Sequence, residues 1–215
     1  MIEACDASLV YSDHGRSVYA CRSIDVSIQP GEFVGILGPS GSGKSSLLYL
    51  LSGLKRPSSG VIRYAGRDLA TLSDGERAGL RLRDFGFVFQ QPFLLGYLSA
   101  LENIVIAAGP GEALRRDEAM NLLEVLGLSD KPHRYPFELS GGERQRVCVA
   151  RALFGKPRVI FADEPTASLD HTNGVQVVEL LNEHRGDGAL VMVTHDPSML
   201  ANADRIVRIE DGEIL

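Results

Sequence analysis

The chain has 215 residues, 44% hydrophobic and 23% charged, with a formal net charge of −6. This is enough for one large domain with a full core, and the composition is that of an ordinary globular protein. The acidic balance and the lack of a Lys/Arg block argue against broad nucleic-acid binding. Cys5, Cys21 and Cys148 are odd in number and widely spaced, which excludes a disulfide framework or a zinc pattern and suits a reducing compartment. Glu3 and Asp6 interrupt any apolar signal region at the start. No apolar run approaches the roughly 18 residues that a membrane helix needs, so a role at a membrane requires other chains to supply the span.

In chain order, residues 3–11 and 18–28 read as two strands joined by the turn Ser12-Asp13-His14-Gly15-Arg16. The second ends in Ile24-Asp25-Val26-Ser27-Ile28, an alternation suited to a half-exposed antiparallel sheet. After the turn Pro30-Gly31, the apolar run Phe33-Val34-Gly35-Ile36-Leu37 leads into Gly38-Pro39-Ser40-Gly41-Ser42-Gly43-Lys44-Ser45. A helix follows over 46–52, with Gly53 as its C′ residue. Strand, glycine loop and helix form the context of a phosphate site. Gly41 and Gly43, having no Cβ, let the loop curl and aim backbone N–H groups at an anion. The helix start near Lys44 adds unpaired N–H groups and a positive dipole end. Lys44 is placed to reach the β- and γ-phosphates and the Ser45 hydroxyl to bind Mg²⁺.

Pro57-Ser58-Ser59-Gly60 reads as a turn and residues 61–64 as a strand. Ser73-Asp74-Gly75-Glu76 has capping-box spacing and opens a polar helix to about Arg83. Phe85-Gly86-Phe87-Val88-Phe89 is an apolar strand that stops at Gln90-Gln91-Pro92. Residues 93–136 turn helical in character, with Ser99-Ala100-Leu101-Glu102 capping one helix that Gly109-Pro110-Gly111 ends. A second helix, 112–127, carries Leu114, Ala119, Leu122, Leu123 and Leu126 on one stripe. This helical lobe reads as an insertion in an α/β core. Arg77, Arg81 and Arg83, and Arg115 with Arg116, read as solvated helix faces.

Leu139-Ser140-Gly141-Gly142-Glu143-Arg144-Gln145 opens a further helix, whose serine and two glycines make a second anion-receptive N-terminus. Its apolar face runs through Val147, Val149, Ala150, Ala152 and Leu153, and Cys148 reads as a small core residue. Residues 159–162 and 189–193 are buried strands, and such near-continuous apolar strands imply a parallel sheet covered on both faces. The tail after Arg205 reads as a hairpin turned at Asp211-Gly212. The glycine loop, Asp163-Glu164 and His195 each follow an apolar strand, which places all three at one sheet edge. Two acids at a strand end need compensation, which Mg²⁺ beside a triphosphate provides. Asp163 would hold the metal and Glu164 could accept a proton from an attacking water; the alternative is a helix N-cap pair. His195 could donate to transition-state charge, and Gln90 could bind Mg²⁺ and the attacking water. Two phosphate-seeking helix ends but one complete site suggest a head-to-tail dimer.

Residues 38–45, Gln90, 139–145, 159–164, Ser168-Leu169-Asp170 and His195 together resemble the ATP-binding subunits of ABC transporters, in the family's order and over essentially the whole chain. The resemblance implies a single cassette domain, 1–215: an α/β P-loop core with a mostly parallel sheet, an N-terminal antiparallel β subdomain and a helical subdomain inserted at about 93–157. It implies an active ATPase using ATP and Mg²⁺. Gly38, Pro39, Ser40, Gly41, Ser42, Gly43, Lys44, Ser45 and Ser46 would then hold the nucleotide, with Ser45, Gln90 and Asp163 on the metal. Ser140, Gly141 and Gly142 would complete the partner's site, Asp170 would lie at the dimer seam, and Glu164 would be the catalytic base. Tyr11 fits the aromatic position that stacks on adenine, ahead of Tyr19. A separately encoded membrane permease is implied, with the domain peripheral on the cytoplasmic face. Phe87-Val88-Phe89-Gln90-Gln91, Leu101-Glu102-Asn103 and Val193-Thr194-His195-Asp196 resemble the lipoprotein-releasing and macrolide-exporter group. Residues 109–116 are shorter and richer in glycine than that group's pattern, and Glu143 replaces its more frequent glutamine. A regulatory scaffold of a membrane or division complex is the runner-up, and an ATPase acting on ribosomes or DNA ranks below it.

Overall fold

The computed structural model describes residues 1–13, 16–108 and 115–215. These form two compact units, Met1–Arg81 with Val191–Leu215, and Leu82–Leu190. The first unit opens with β1 (Ile2–Asp13), β2 (Arg16–Ile28) and β3 (Phe33–Leu37), then α1 (Lys44–Leu51), β4 (Ser59–Tyr64), β5 (Arg67–Asp68) and α2 (Asp74–Asp84), which runs a few residues beyond the unit. Strands β2, β1, β4 and β5 lie side by side in an antiparallel sheet. In β2, Ile24 and Ile28 are buried while Asp25 and Ser27 are exposed, as the alternation predicts for a sheet with one wet face. Strand β3 is buried throughout. Helix α1 ends at Ser52, and Gly53 follows in the left-handed conformation at φ +64° that closes a helix without a Cβ penalty. Ser73 and Glu76 cap α2 reciprocally, with Glu76 N–H donating to Ser73 Oγ at 3.3 Å and Ser73 N–H to Glu76 Oε2 at 2.9 Å.

Two expectations in this unit need correction. Ser59 and Gly60 are not a turn but the first residues of β4. Gly60 has φ +76°, and a Cβ there would lie 2.0 Å from the Asp6 carbonyl oxygen, where the β1–β4 register is irregular between Cys5 and Ser8. Its glycine therefore serves a bulge rather than a reversal. Nor do all the arginines of α2 face water: the Arg77 side chain is only 14% exposed and pairs with Asp74, and Arg81 donates to the Gly53 carbonyl.

The second unit contains β6 (Phe85–Val88), α3 (Ala100–Val105), α4 (Arg116–Val125), α5 (Gly141–Leu153), β7 (Val159–Asp163) and α6 (His171–His184). Strands β6 and β7 pair in parallel, Phe85 opposite Val159 through Val88 opposite Ala162. Helices α3, α4 and α5 pack on one another. Ser99 and Glu102 form the capping box that starts α3. Asn103 is fully buried and satisfied, accepting from Leu95 N–H at 2.7 Å and donating to the carbonyls of Leu95, Leu98 and Ser99. The α4 stripe is buried at Ala119, Leu122, Leu123 and Leu126. The start of that helix at 112–114 with Leu114, the break Gly109-Pro110-Gly111, and the turn residues His14 and Gly15 lie outside the described residues. Arg115, expected on a solvated face, instead lies over the Phe154 ring at 5.0 Å and pairs with Glu118.

The chain returns to the first unit within β8 (Ala189–Thr194), buried along its length, and closes with β9 (Arg205–Glu210) and β10 (Glu213–Ile214). Strand β9 runs parallel to β3, Val34 opposite Arg205 through Leu37 opposite Arg208. Strand β10 turns back antiparallel through Asp211-Gly212, whose φ values of 48° and 82° are those of a two-residue hairpin turn.

In the second unit α5 lies so close to β6 that a Cβ on Gly86 would stand 2.1 Å from the Ala152 carbonyl oxygen. Gly86→Ala is therefore expected to lower the free energy of unfolding by about 1–3 kcal/mol through overpacking, as read from the urea midpoint at unchanged slope.

Candidate active site

In the first unit the buried strand β3 delivers the chain to Gly38, where a Cβ would meet the Ile209 carbonyl oxygen at 2.2 Å and Ser42 Oγ at 2.7 Å. The loop curls at Gly41, φ +80°, and Gly43, φ +101°. Gly43 is the N-cap of α1 and provides no side-chain hydrogen bond, so the first-turn N–H groups of Lys44, Ser45 and Ser46 face an end that no cap covers. The Lys44 side chain folds back over the loop, its Nζ donating to the Pro39 carbonyl at 2.8 Å. Pro39 also accepts from Ser42 N–H at 3.2 Å, while Ser40 stays exposed at the loop's crest. Ser42 is buried, with no partner for its hydroxyl.

Strand β2 presses on this loop from behind. Cys21 Sγ lies 3.8 Å from the Gly43 carbonyl, and burial pushes its thiol up to about 12, which leaves it an unreactive packing group. Leu9 stands opposite Cys21, but Val10 stands opposite Tyr19 and Tyr11 opposite Val18, so β2 has one extra residue at Ala20. Tyr11, two residues on from Leu9 in β1, shares the face of Leu9 and Cys21, toward the loop, while the extra residue turns Tyr19 to the other face, where the Arg22 guanidinium covers its ring at 4.6 Å. Tyr11 is 38% exposed, with Lys55 5.8 Å from its ring centre. His195 follows the last residue of β8, Thr194, and is exposed.

In the second unit Asp163 is the buried last residue of β7, and Glu164 leaves the strand with φ +48°, a left-handed conformation uncommon outside glycine. The next helix starts only at His171 and is capped by Asp170, so the acidic pair is not an N-cap. Asp170 Oδ1 accepts Asn173 N–H at 3.0 Å, and these bonds hold its carboxyl below the ordinary range. Gln90 is exposed just beyond β6. Ser140 is the N-cap of α5 in a capping box with Glu143, which the S-x-x-E spacing of Ser140-Gly141-Gly142-Glu143 encodes. Glu143 N–H donates to Ser140 Oγ at 3.2 Å and Ser140 N–H to Glu143 Oε2 at 2.7 Å. The Ser140 hydroxyl keeps its own proton to donate elsewhere. A Cβ on Gly141 would meet nothing closer than 3.9 Å, so packing within the chain does not require glycine there.

In the first unit, an uncapped helix start and a lysine folded over a glycine loop suit the phosphates of a nucleoside triphosphate; in the second, a buried strand that ends in two acids suits a metal. Among the described residues no cluster of three His, Cys, Asp or Glu side chains could cage a cation. The site class is thus that of a P-loop nucleotide-binding domain. A family model described as ABC transporter matches residues 21–167, and the chain belongs to that family. It is the family's ATP-binding domain, an ATPase that uses ATP with Mg²⁺. The fold superposes on the dimeric post-hydrolysis structure of the ATP-binding cassette MJ0796 bound to ADP and Pi, with TM-score 0.94 and 35% identity, covering all of this chain and 96% of that one. The chain is 42% identical to an uncharacterized ABC transporter ATP-binding protein of Methanocaldococcus jannaschii, over all of this chain and 98% of that protein. It is 44% identical to the macrolide export ATP-binding/permease protein MacB of Hahella chejuensis and 45% to the pyoverdine export protein PvdT of Pseudomonas entomophila. The whole chain spans about a third of the length of each of these last two, 34%. No helix among the described residues is long and apolar enough to cross a membrane.

Glu143, in place of the family's more frequent glutamine, is explained by Lys131, whose Nζ lies 2.7 Å from Oε1. The Lys131 hydrogen bond, joined by the Ser140 N–H, pulls the Glu143 carboxyl from its ordinary 4.5 down to about 2. Its contribution to stability is therefore complete above pH 4.5 and is lost as pH falls from there toward 2. Glu143→Gln preserves the capping box but not the ion pair. Acid unfolding of this variant should show less loss of stability than wild type between pH 4.5 and about 2, at a cost of roughly 0.5–1 kcal/mol at neutral pH.

Proposed function

We propose that the domain hydrolyses ATP between two copies arranged head to tail, and that the opening and closing of this pair drives an export-type permease. The observation that carries the reading is the pair of anion-receptive helix ends in one chain. Helix α1 starts without a cap at Gly43, and α5 starts at Ser140 with an open Gly141 that internal packing does not explain. The dimeric state of the MJ0796 cassette supports the same arrangement. In this reading residues 1–215 are one cassette, with 93–157 as its helical subdomain. Residues 38–46 of one copy hold the phosphates, Tyr11 stacks on the base, and Ser140, Gly141 and Gly142 of the other copy close over the γ-phosphate. Asp170 flanks the seam. Mg²⁺, when bound, offsets charge on the β- and γ-phosphates, and Ser45, Asp163 and Gln90 would hold it.

Lys44 gives up the Pro39 carbonyl for a phosphate oxygen, an exchange of a neutral acceptor for a charged one that favours binding. Glu164 takes the proton of a water that attacks the γ-phosphorus. As the new P–O bond forms, the bond from the γ-phosphorus to the bridging oxygen breaks and ADP leaves with that electron pair. His195 donates a hydrogen bond to the charge gathering on the γ-phosphate oxygens. Release of phosphate removes the anion shared by the two copies and lets them part. The permease places the domain on the cytoplasmic face of the membrane. The names of the macrolide- and pyoverdine-export relatives support transport outward and join ATP-binding and permease parts in one protein.

Glu164→Gln should lower ATP turnover by a factor of at least about 10², with nucleotide binding intact. ATP should also trap this variant as a dimer on size exclusion. Undiminished hydrolysis would overturn the base assignment. Capture of the tagged domain from detergent-solubilised membranes should bring a multi-helix membrane protein in equal amount. Recovery of a division assembly instead would favour the scaffold.

A further inference from the structure

Gln145 lies in α5 and is completely buried. Its Nε2 donates to two carbonyls, that of Phe89 at 3.2 Å and that of Pro165 at 3.0 Å, while its Oε1 is buried with no hydrogen-bond partner. The two acceptors are far from Gln145 in sequence but have telling neighbours. Phe89 immediately precedes Gln90, and Pro165 immediately follows Glu164. Glu164 is held in its left-handed conformation at φ +48° by a turn in which Ala167 N–H reaches back to its carbonyl at 3.2 Å. The bond to Pro165 anchors that turn one residue on. Farther along α5, Arg151 donates to the carbonyls of Pro92 at 2.7 Å and Phe93 at 2.9 Å, which fixes the far side of the Gln90 segment.

As packing, this residue is a poor choice. Its Oε1 stays buried without a donor, a cost that an apolar side chain of the same length would avoid only by taking the donor from the Phe89 and Pro165 carbonyls. What the amide provides is two N–H donors on one atom, enough to bridge two backbones at once. We propose that Gln145 is a positioning residue for hydrolysis, setting the Gln90 segment and the Glu164 turn at a fixed distance so that water and base meet in line. Because Gln145 belongs to the helix that begins at Ser140, a shift of α5 on closure over a nucleotide moves both groups together. The proposal rests on the reading of Glu164 and Gln90 given above.

The test measures steady-state ATPase of the whole chain for Gln145→Met, which keeps length and bulk but removes both donors, and for Gln145→Glu, which keeps the oxygen but not the amide. Rates are expressed per ATP-binding site, titrated with a fluorescent nucleotide. In both variants kcat should fall about tenfold or more while KM for ATP stays within about twofold, because the phosphate loop is untouched. A variant that binds ATP and keeps the wild-type kcat per site would overturn the proposal. So would activity lost only in step with the number of sites, which is the mark of a merely structural residue. Glu164→Gln is assayed alongside. If it still hydrolyses ATP, the underlying reading of Glu164 falls; if it is inactive while Gln145→Met is fully active, the Gln145 proposal fails alone.

Discussion

A Cβ on Gly43 would stand 2.1 Å from the carbonyl oxygen of Ala20, and the glycine's φ of +101° is closed to other residues in any case. Much of the first unit depends on that close approach. It lets β2 lie against the back of the loop, puts Cys21 in the gap, and starts α1 from a residue with no side chain to cap it. The same loop is tied to the last hairpin, where Gly212 N–H donates to the Ser42 carbonyl at 3.0 Å. Strand β3, the loop and β9–β10 are thus one mechanical piece. The bare end of α1 is a consequence of backbone crowding that forbids a Cβ at Gly43 and with it any capping side chain there.

The second unit solves the opposite problem. Its helix α5 starts with a full capping box, strengthened by the Lys131–Glu143 ion pair, so the serine end is rigid while the adjacent Gly141 stays open. From that fixed start the helix extends Gln145 and Arg151 toward the segments around Gln90 and Glu164. Strain at Glu164, which costs of order 1–3 kcal/mol in a non-glycine residue, is tolerated because neighbouring hydrogen bonds over-determine the turn. Capping and strain are therefore two ends of one arrangement in α5 and β7. A rigid helix holds an acid out of the line of its own strand.

Local chemistry was legible from the residues alone. The S-x-x-E spacing at Ser73 and Ser99 foretold two helix starts, and the apolar runs at 33–37, 159–162 and 189–193 foretold the buried strands, because hydrogen bonds and hydrophobic patterns of this kind act within a few residues. The same local logic failed at Gly60, where the run Pro57-Ser58-Ser59-Gly60 looks like a turn but its glycine serves a bulge against Asp6. It also failed at Arg77 and Arg115, where the buried stem of a charged side chain depends on what lies across from it.

What the sequence by itself determined was the order of phosphate loop, acidic strand end and serine–glycine helix start, since each is a short motif whose backbone chemistry is complete within about eight residues. The tertiary structure decided which face each tyrosine takes and which backbones Gln145 joins. A single extra residue at Ala20 turns Tyr19 away and leaves Tyr11 on the side of the loop. The Gln145 amide reaches carbonyls 56 and 20 residues away, a pairing that no local pattern encodes because only the packing of α5 against the ends of β6 and β7 creates it.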